Sequence, residues 1–250
     1  MSRSAPKIRL DDLLVERGLA QDRSQAQALI LTGSVLVAGR PATHAGGTVP
    51  AAAEVRLRGE TCPYVSRGGI KLQRALEAFG IEVTGLIALD VGASTGGFTD
   101  CLLQAGAAKV YAIDVGYGQL AWKLRTDPRV VTLERTNIRF YDGVGIADPI
   151  DLAVIDASFI SLTAVLPPVL GLIGVGALVV ALVKPQFEVA KGEVGLGGVV
   201  RDPERHRQIL TTLEGFCREL GLVVLTRCES PLLGPAGNRE FFLCLRKSTV

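Results

Sequence analysis

From residue 66 onward the chain alternates short apolar runs with stretches of helical spacing. The runs occupy residues 86–91, 110–113, 130–133, 150–155, 177–183, 222–228 and 241–245. Most positions within them are apolar, and the unbroken run at 177–183 reads as a central strand buried on both faces of a parallel sheet. Helices are predicted at 66–79, 98–104, 119–124, 162–172 and 204–220. Strands and helices in alternation predict a doubly wound α/β domain over residues 66–250.

Residues 1–60 carry a different pattern and are predicted to form a separate small α+β module. Ile8, Leu10, Leu13 and Leu14 stand at helical spacing within 8–17, closed by Gly18. A second helix, 25–31, is closed by Gly33, with Ser24 as its expected N-cap. Short strands follow at 35–37 and 54–57, around Gly39-Arg40-Pro41 and Gly46-Gly47. Residues 61–65, marked by Pro63, form the linker, and Tyr64 is expected to pack against the larger domain.

The segment from Leu162 to Val183 contains no charged residue and is long enough to span a bilayer. Pro167-Pro168, Gly171, Gly174 and Gly176 interrupt it, however. They divide it into a short helix, a turn and a central strand, so no membrane span is expected. Net charge is only +2, which permits a local basic face without announcing a nucleic-acid binder. The five cysteines include no C-x-x-C pair and no apolar segment backs the basic N-terminus, so a reduced, cytoplasmic protein is expected.

The polar residues that stand out follow the apolar runs. Residues 86–91 end in the loop Gly92-Ala93-Ser94-Thr95-Gly96-Gly97, and residues 110–113 end in Asp114. Strand, glycine loop, helix, strand and acid form the layout of a nucleotide-type cofactor site. The loop admits three readings: a nucleophile elbow around Ser94, a dinucleotide loop, or the first motif of S-adenosylmethionine (SAM) methyltransferases, beginning at Asp90. Asp90, Asp114, Asn137, Asp156 and Lys184 all lie at or just after predicted strand ends, where open α/β sheets bind ligands. The hydrolase and dehydrogenase readings lack a histidine at that edge. His44 lies in the small module and His206 inside the last long helix. No G-K-S/T phosphate loop is present. Methyl transfer suits the inventory, because the donor brings its own leaving group and the protein has only to bind, align and deprotonate.

Two family resemblances sharpen this reading. Arg9-Leu10-Asp11, Leu13-Leu14, Arg23-Ser24-Gln25-Ala26, Leu29-Ile30, Gly33, Val35, Val37 and Gly39 resemble the S4 RNA-binding domain. That resemblance implies RNA contact through Arg9, Arg23 and Arg40, with Arg3 and Lys7 on the N-terminal arm. Ser34 and Ala38 depart from it, standing where many members carry a lysine and an asparagine. Residues 66–250 resemble the FtsJ-like ribose 2′-O-methyltransferases, which imply a Rossmann-like fold with a mostly parallel seven-stranded sheet and helices on both faces. Their Lys–Asp–Lys–Glu tetrad maps onto Lys71 in Ser66-Arg67-Gly68-Gly69-Ile70-Lys71-Leu72, Asp156, Lys184, and Glu240 after Asn238-Arg239.

Together the two parts resemble the TlyA family, bacterial ribosomal RNA cytidine 2′-O-methyltransferases also labelled hemolysin A. The resemblance implies that SAM is held by Asp90, Gly92, Ala93, Ser94, Thr95, Gly97 and Phe98, with its ribose at Asp114, its adenine at Asn137 and its methyl end at Asp156. Arg67 joins the S4-like module in holding ribosomal RNA. Lys184 either takes the proton of the 2′-hydroxyl or only orients that hydroxyl. No metal is implied, and a monomer is expected. Cys62-Pro63-Tyr64-Val65 replaces an Arg-Ala-Trp-Val-like tetrapeptide, and the chain resembles the shorter type that acts on the large subunit. Two other functions remain open: a membrane-active hemolysin resting on residues 162–183, and a ribosome-binding factor without catalysis.

Overall fold

The computed structural model describes residues 6–20, 22–31, 33–42, 44–57, 62–190 and 194–248. Arg3 of the expected RNA-binding arm and Thr61 of the expected linker lie outside these residues. The chain divides into two compact units, Met1–Thr61 and Cys62–Val250.

In the first unit, β1 (Lys7–Arg9) pairs antiparallel with β4 (Thr48–Pro50). Helices α1 (Leu10–Glu16) and α2 (Arg23–Leu31) accompany a three-stranded sheet of β3 (Arg40–Pro41), β2 (Val35–Val37) and β5 (Val55–Leu57). Leu10, Leu13, Leu14, Ala26, Ile30 and Val35 form its core. Two expectations change here. Ile8 belongs to a strand, opposite Val49, because the chain at 7–9 finds backbone partners on β4 before the helix begins. Ser24 lies inside α2. The cap is Asp22, whose Oδ1 accepts from Gln25 N–H at 2.7 Å, a carboxylate at the positive end of the helix.

The second unit begins with α3 (Arg67–Phe79), capped by Ser66, whose Oγ accepts from Gly68 N–H at 3.3 Å. Then come β6 (Ile87–Val91), α4 (Gly97–Gln104), β7 (Lys109–Ile113), α5 (Trp122–Arg125), β8 (Val130–Leu133) and β9 (Ile150–Ile155). The chain continues through α6 (Leu162–Leu172), β10 (Ile173–Val183), α7 (Pro185–Glu188), α8 (Pro203–Glu219), β11 (Leu222–Glu229) and β12 (Phe241–Lys247). They build a 7-stranded sheet in the order β11-β12-β10-β9-β6-β7-β8. Strand β12 runs antiparallel to both neighbours, and the other pairings are parallel.

Strand order reverses beside β6, which neighbours β7 on one side and β9 on the other. The crevice at that reversal is where this class of sheet takes ligands. Alternate residues of β6 face opposite layers. Leu89 and Val91 pack with α6 and α8, whereas Ala88 packs with α3 and α4. The 162–183 run is split between α6 and β10, and no helix among the described residues is long and apolar enough to cross a membrane. The expected turn before residue 177 is instead an irregular part of β10. Its register shifts between Ile173 and Leu178, and Gly176 takes φ +84°. The expected helix at 119–124 shrinks to α5, because Ala121 N–H is drawn to Thr95 O of the glycine loop.

Asp90 is the polar exception inside β6. It is fully buried on the α4 side, where its Oδ2 accepts from Thr99 Oγ1 at 2.6 Å. Burial pushes its carboxyl up to about 7, against the pull of the Thr99 bond, and Asp156 and Asp114 add to the rise. A folded value above the unfolded one means that the protonated form favours folding. That contribution is full below about pH 4 and is lost as pH rises through 7. Thermal melting of Asp90→Asn against the unsubstituted protein should therefore show a gap that shifts in favour of the variant from pH 5 to 8. The underlying slope is at most about 1.4 kcal/mol per pH unit. A gap independent of pH would remove Asp90 as its source.

Candidate active site

The glycine loop is shaped by what presses on it. Gly92, at φ +86°, lies so close to β9 that a Cβ there would stand 2.6 Å from Asp156 O. Gly96, at φ +95°, leaves no room for a side chain beside Leu120 and Leu124. Gly97 faces Ser66 Oγ, so the start of α3 and the start of α4 can touch only without a Cβ. Ser94 also takes a positive φ, of 49°, and its N–H donates to Asp114 Oδ2 at 2.7 Å. The other oxygen of Asp114 accepts from Gly116 N–H at 2.7 Å. The acid that ends β7 thus fixes the loop that ends β6.

A cavity of ≈ 230 Å³ opens above this loop. Gly92, Ala93, Ser94, Thr95, Gly97 and Phe98 line it together with Arg67, Lys71 and Asp156. A second, smaller cavity shares Ala93 and Ser94 and adds Asp114, Gln119, Thr132 and Glu134. A larger groove between α3 and α4, ≈ 590 Å³, contains none of the strand-end acids. The chemistry, not the volume, marks the site.

Two ion pairs frame the first cavity. Lys71 Nζ donates to Glu240 Oε2 at 2.6 Å, with 11% and 1% of the two side chains exposed. Removing one member of such a buried pair costs about 3–5 kcal/mol, because it strands the other charge. Lys184 Nζ lies 2.6 Å from Asp156 Oδ1 and donates to Ser158 Oγ at 2.6 Å. Register explains why the pairs share one edge. Val183 stands opposite Phe241, so Lys184 leaves β10 where Glu240 enters β12. Asp156 leaves the adjacent β9, where Ile155 stands beside Ala181.

Glu240 is placed by its own loop. Gly234 sits against Oε1, where a Cβ would collide, and its N–H donates to Asn238 O at 2.8 Å. Asn238 in turn accepts from Val200 N–H at 2.9 Å and donates to Gly198 O at 2.9 Å. Glu240 Oε1 is buried without a hydrogen-bond partner among the described residues.

The other expected site residues divide. Asp90 lies beneath the loop, inside the sheet. Asn137 is exposed, and its Oδ1 accepts from Arg139 N–H at 3.1 Å, capping a short 3-10 turn. The residues beside Asp114 are instead Gln119, Thr132 and Glu134. Arg9 donates to both oxygens of Asp11, at 2.9 and 2.7 Å, and Arg23 donates to Asp12 at 2.7 Å. The bonds from Arg9 hold the buried Asp11 carboxyl well below the usual carboxylate range. These two arginines therefore stabilise the small unit as well as presenting charge. Arg40 is exposed. Among the described residues, no group of three or more His, Cys, Asp or Glu is placed to hold a metal ion.

Sequence reasoning missed Thr99, Ser158, Gln119, Glu134 and Gly234. Ser158 carried one available signal: it stands two residues after Asp156, on the same strand exit. Gly234 carried none, since only the folded loop reveals what its missing side chain makes room for.

The family model for FtsJ-like methyltransferase matches residues 64–247, and the S4 domain model matches residues 8–55. A relative from Mycobacterium tuberculosis, named 16S/23S rRNA (cytidine-2′-O)-methyltransferase TlyA, is 50% identical, covering 98% of this chain and 92% of its own. Hemolysin A of Brachyspira hyodysenteriae is 40% identical, covering 94% of this chain and 98% of its own. A solved hemolysin-labelled structure from Streptococcus thermophilus has a TM-score of 0.77 at 42% identity, covering 98% of this chain and 90% of that one. With a matching methyltransferase model, an S4 domain ahead of it and relatives of this identity along nearly its whole length, the chain belongs to the TlyA branch of the FtsJ-like methyltransferases.

Proposed function

We propose that this chain transfers a methyl group from SAM to the 2′-hydroxyl of cytidine in ribosomal RNA. The observation that carries this reading is the pair of lysine–carboxylate contacts, Lys71–Glu240 and Lys184–Asp156, at one sheet edge beside the glycine-loop cavity. The relative at 50% identity is named for this reaction.

The site suits the donor. Its ammonium and sulfonium are positive, and the carboxylates Asp90, Asp114 and Asp156 surround the loop. Gly92 and Gly97 let the exit of β9 and the start of α3 close up against the loop that forms the cradle. Asp114 bonds one amide through each oxygen, which leaves each oxygen a lone pair for a ribose hydroxyl. When bound, SAM supplies a methyl group on a positively charged sulfur. The remaining work falls to the chain. Lys184 takes the proton of the acceptor hydroxyl, and Asp156 holds Lys184 in place. Glu240 holds Lys71, whose charge lines the cavity where the acceptor oxygen becomes more negative. Arg67 at the cavity mouth and the exposed Arg40 of the S4 unit attract the phosphate backbone.

On this reading the protein acts in the cytoplasm, on ribosomal subunits. The hemolysin name of one relative finds no counterpart in residues 162–183, which are divided between α6 and the core strand β10.

Transfer of labelled methyl from SAM to separated ribosomal subunits tests the proposal and reads which subunit is the substrate. Lys184→Ala should bind SAM within about twofold of the unsubstituted protein and lose at least about 100-fold in transfer rate. Transfer at the native rate would refute the assignment. Gly234→Ala tests the support of Glu240. Its Cβ should displace the carboxylate from Lys71, lowering kcat about tenfold while SAM affinity holds. An unchanged kcat would show that Glu240 tolerates the displacement.

A further inference from the structure

Lys184 has two polar partners, Asp156 by charge and Ser158 by a hydrogen bond, and only Asp156 belongs to the four-residue constellation. Its Nζ lies 2.6 Å from Asp156 Oδ1 and donates to Ser158 Oγ at 2.6 Å. Both partners leave the end of β9, two residues apart, and Lys184 leaves the neighbouring β10. Just beyond Ser158 the chain turns sharply, with Phe159 at φ +64°, a left-handed conformation that bulky residues rarely adopt. The surrounding structure therefore holds this turn, and with it the Ser158 hydroxyl, against a local cost.

The hydroxyl matters because of what an amine looks like when it acts as a base. Ammonium has three N–H donors, whereas the neutral amine has two and one lone pair. Without a hydrogen-bond acceptor, the neutral amine can turn about the Cε–Nζ bond, and its lone pair samples more than one direction. Ser158 Oγ takes one N–H, and the negative Asp156 oxygen 2.6 Å away repels the lone pair, so the lone pair takes the tetrahedral direction that faces neither. Ser158 is also a neutral acceptor. Another carboxylate there would add negative charge and favour the ammonium form, which has no lone pair to offer.

We propose that Ser158 is a positioning residue for methyl transfer: with Asp156 it locks the Lys184 amine so that its lone pair faces the acceptor hydroxyl. This rests on the 2′-hydroxyl reading above. In the step it serves, the hydroxyl O–H bond breaks and the proton goes to Nζ. The oxygen keeps the electron pair, and the amine becomes an ammonium whose third N–H replaces the lone pair. Ser158 acts through Lys184 and keeps its own proton.

The test uses Ser158→Ala and Ser158→Thr in the full chain. In single-turnover transfer to ribosomal subunits, the alanine variant should be about tenfold slower, with the SAM dissociation constant and the KM for subunits unchanged. The threonine variant, which restores the oxygen, should return to within about twofold of the native rate. A second readout needs no turnover. In the free protein labelled with nitrogen-15 lysine, the Lys184 side-chain resonance, assigned by its absence in Lys184→Arg, should show restricted rotation and slow hydrogen exchange. Ser158→Ala should release both, and Ser158→Thr should restore both. A native rate in the alanine variant, a threonine variant as slow as alanine, or a Lys184 resonance indifferent to Ser158 would each overturn the proposal while leaving the methyltransferase reading intact. Absence of methyl transfer by the unsubstituted protein would overturn that reading, and the role assigned to Ser158 with it.

Discussion

The Lys71–Glu240 ion pair joins the first helix of the second unit to its last strand. A salt bridge across 169 residues, buried at both ends, tolerates little error in either position. Each charge is stable out of water only because the other is present. The unit therefore has to complete its fold before the pair exists, and α3 and β12 cannot drift without leaving a charge stranded. Gly234, Asn238 and the backbone at 198–200 serve this constraint by setting where Glu240 enters the sheet. A second pair, Lys184–Asp156, spans adjacent strand exits and is more accessible, with 25% of the Asp156 side chain exposed. The buried pair ties α3 to β12, and the more accessible pair leaves Asp156 open to the glycine-loop cavity.

Beneath both lies a concentration of acid. Asp90 lies within β6, Asp114 and Asp156 follow the two strands beside it, and Asp90 is fully buried. Burial disfavours ionisation of Asp90, and a positively charged ligand nearby would oppose that preference. The glycine loop answers a different demand. Its bare positions exist because α3, α5 and the exit of β9 press on its backbone atoms.

Much of this was legible in the sequence. The inner strands were legible because a central strand is apolar on both faces. Lys71, Asp156, Lys184 and Glu240 were found through resemblance to a family, and register then explained how residues so distant come to share one edge. What escaped depended on contacts invisible to a linear pattern. Ser24 looked like a cap, but Asp22 offers the stronger acceptor two residues earlier. Arg9 and Arg23 looked like free positive charge, yet Asp11 and Asp12 bind them within the small unit. Residues 119–124 had helical spacing, and a single backbone bond to Thr95 limits the helix. Gly234 gave no signal at all, since its importance is the absence of an atom.

The central claim is that this edge of the sheet directs a methyl group to a ribose oxygen. The most direct test is to identify the product. Ribosomal RNA incubated with the protein and SAM would be digested to nucleosides and resolved by mass spectrometry against synthetic standards. The account predicts one new methylated nucleoside, 2′-O-methylcytidine, absent when SAM is withheld. A methyl group found on a base, or no methylated nucleoside from either subunit, would contradict it.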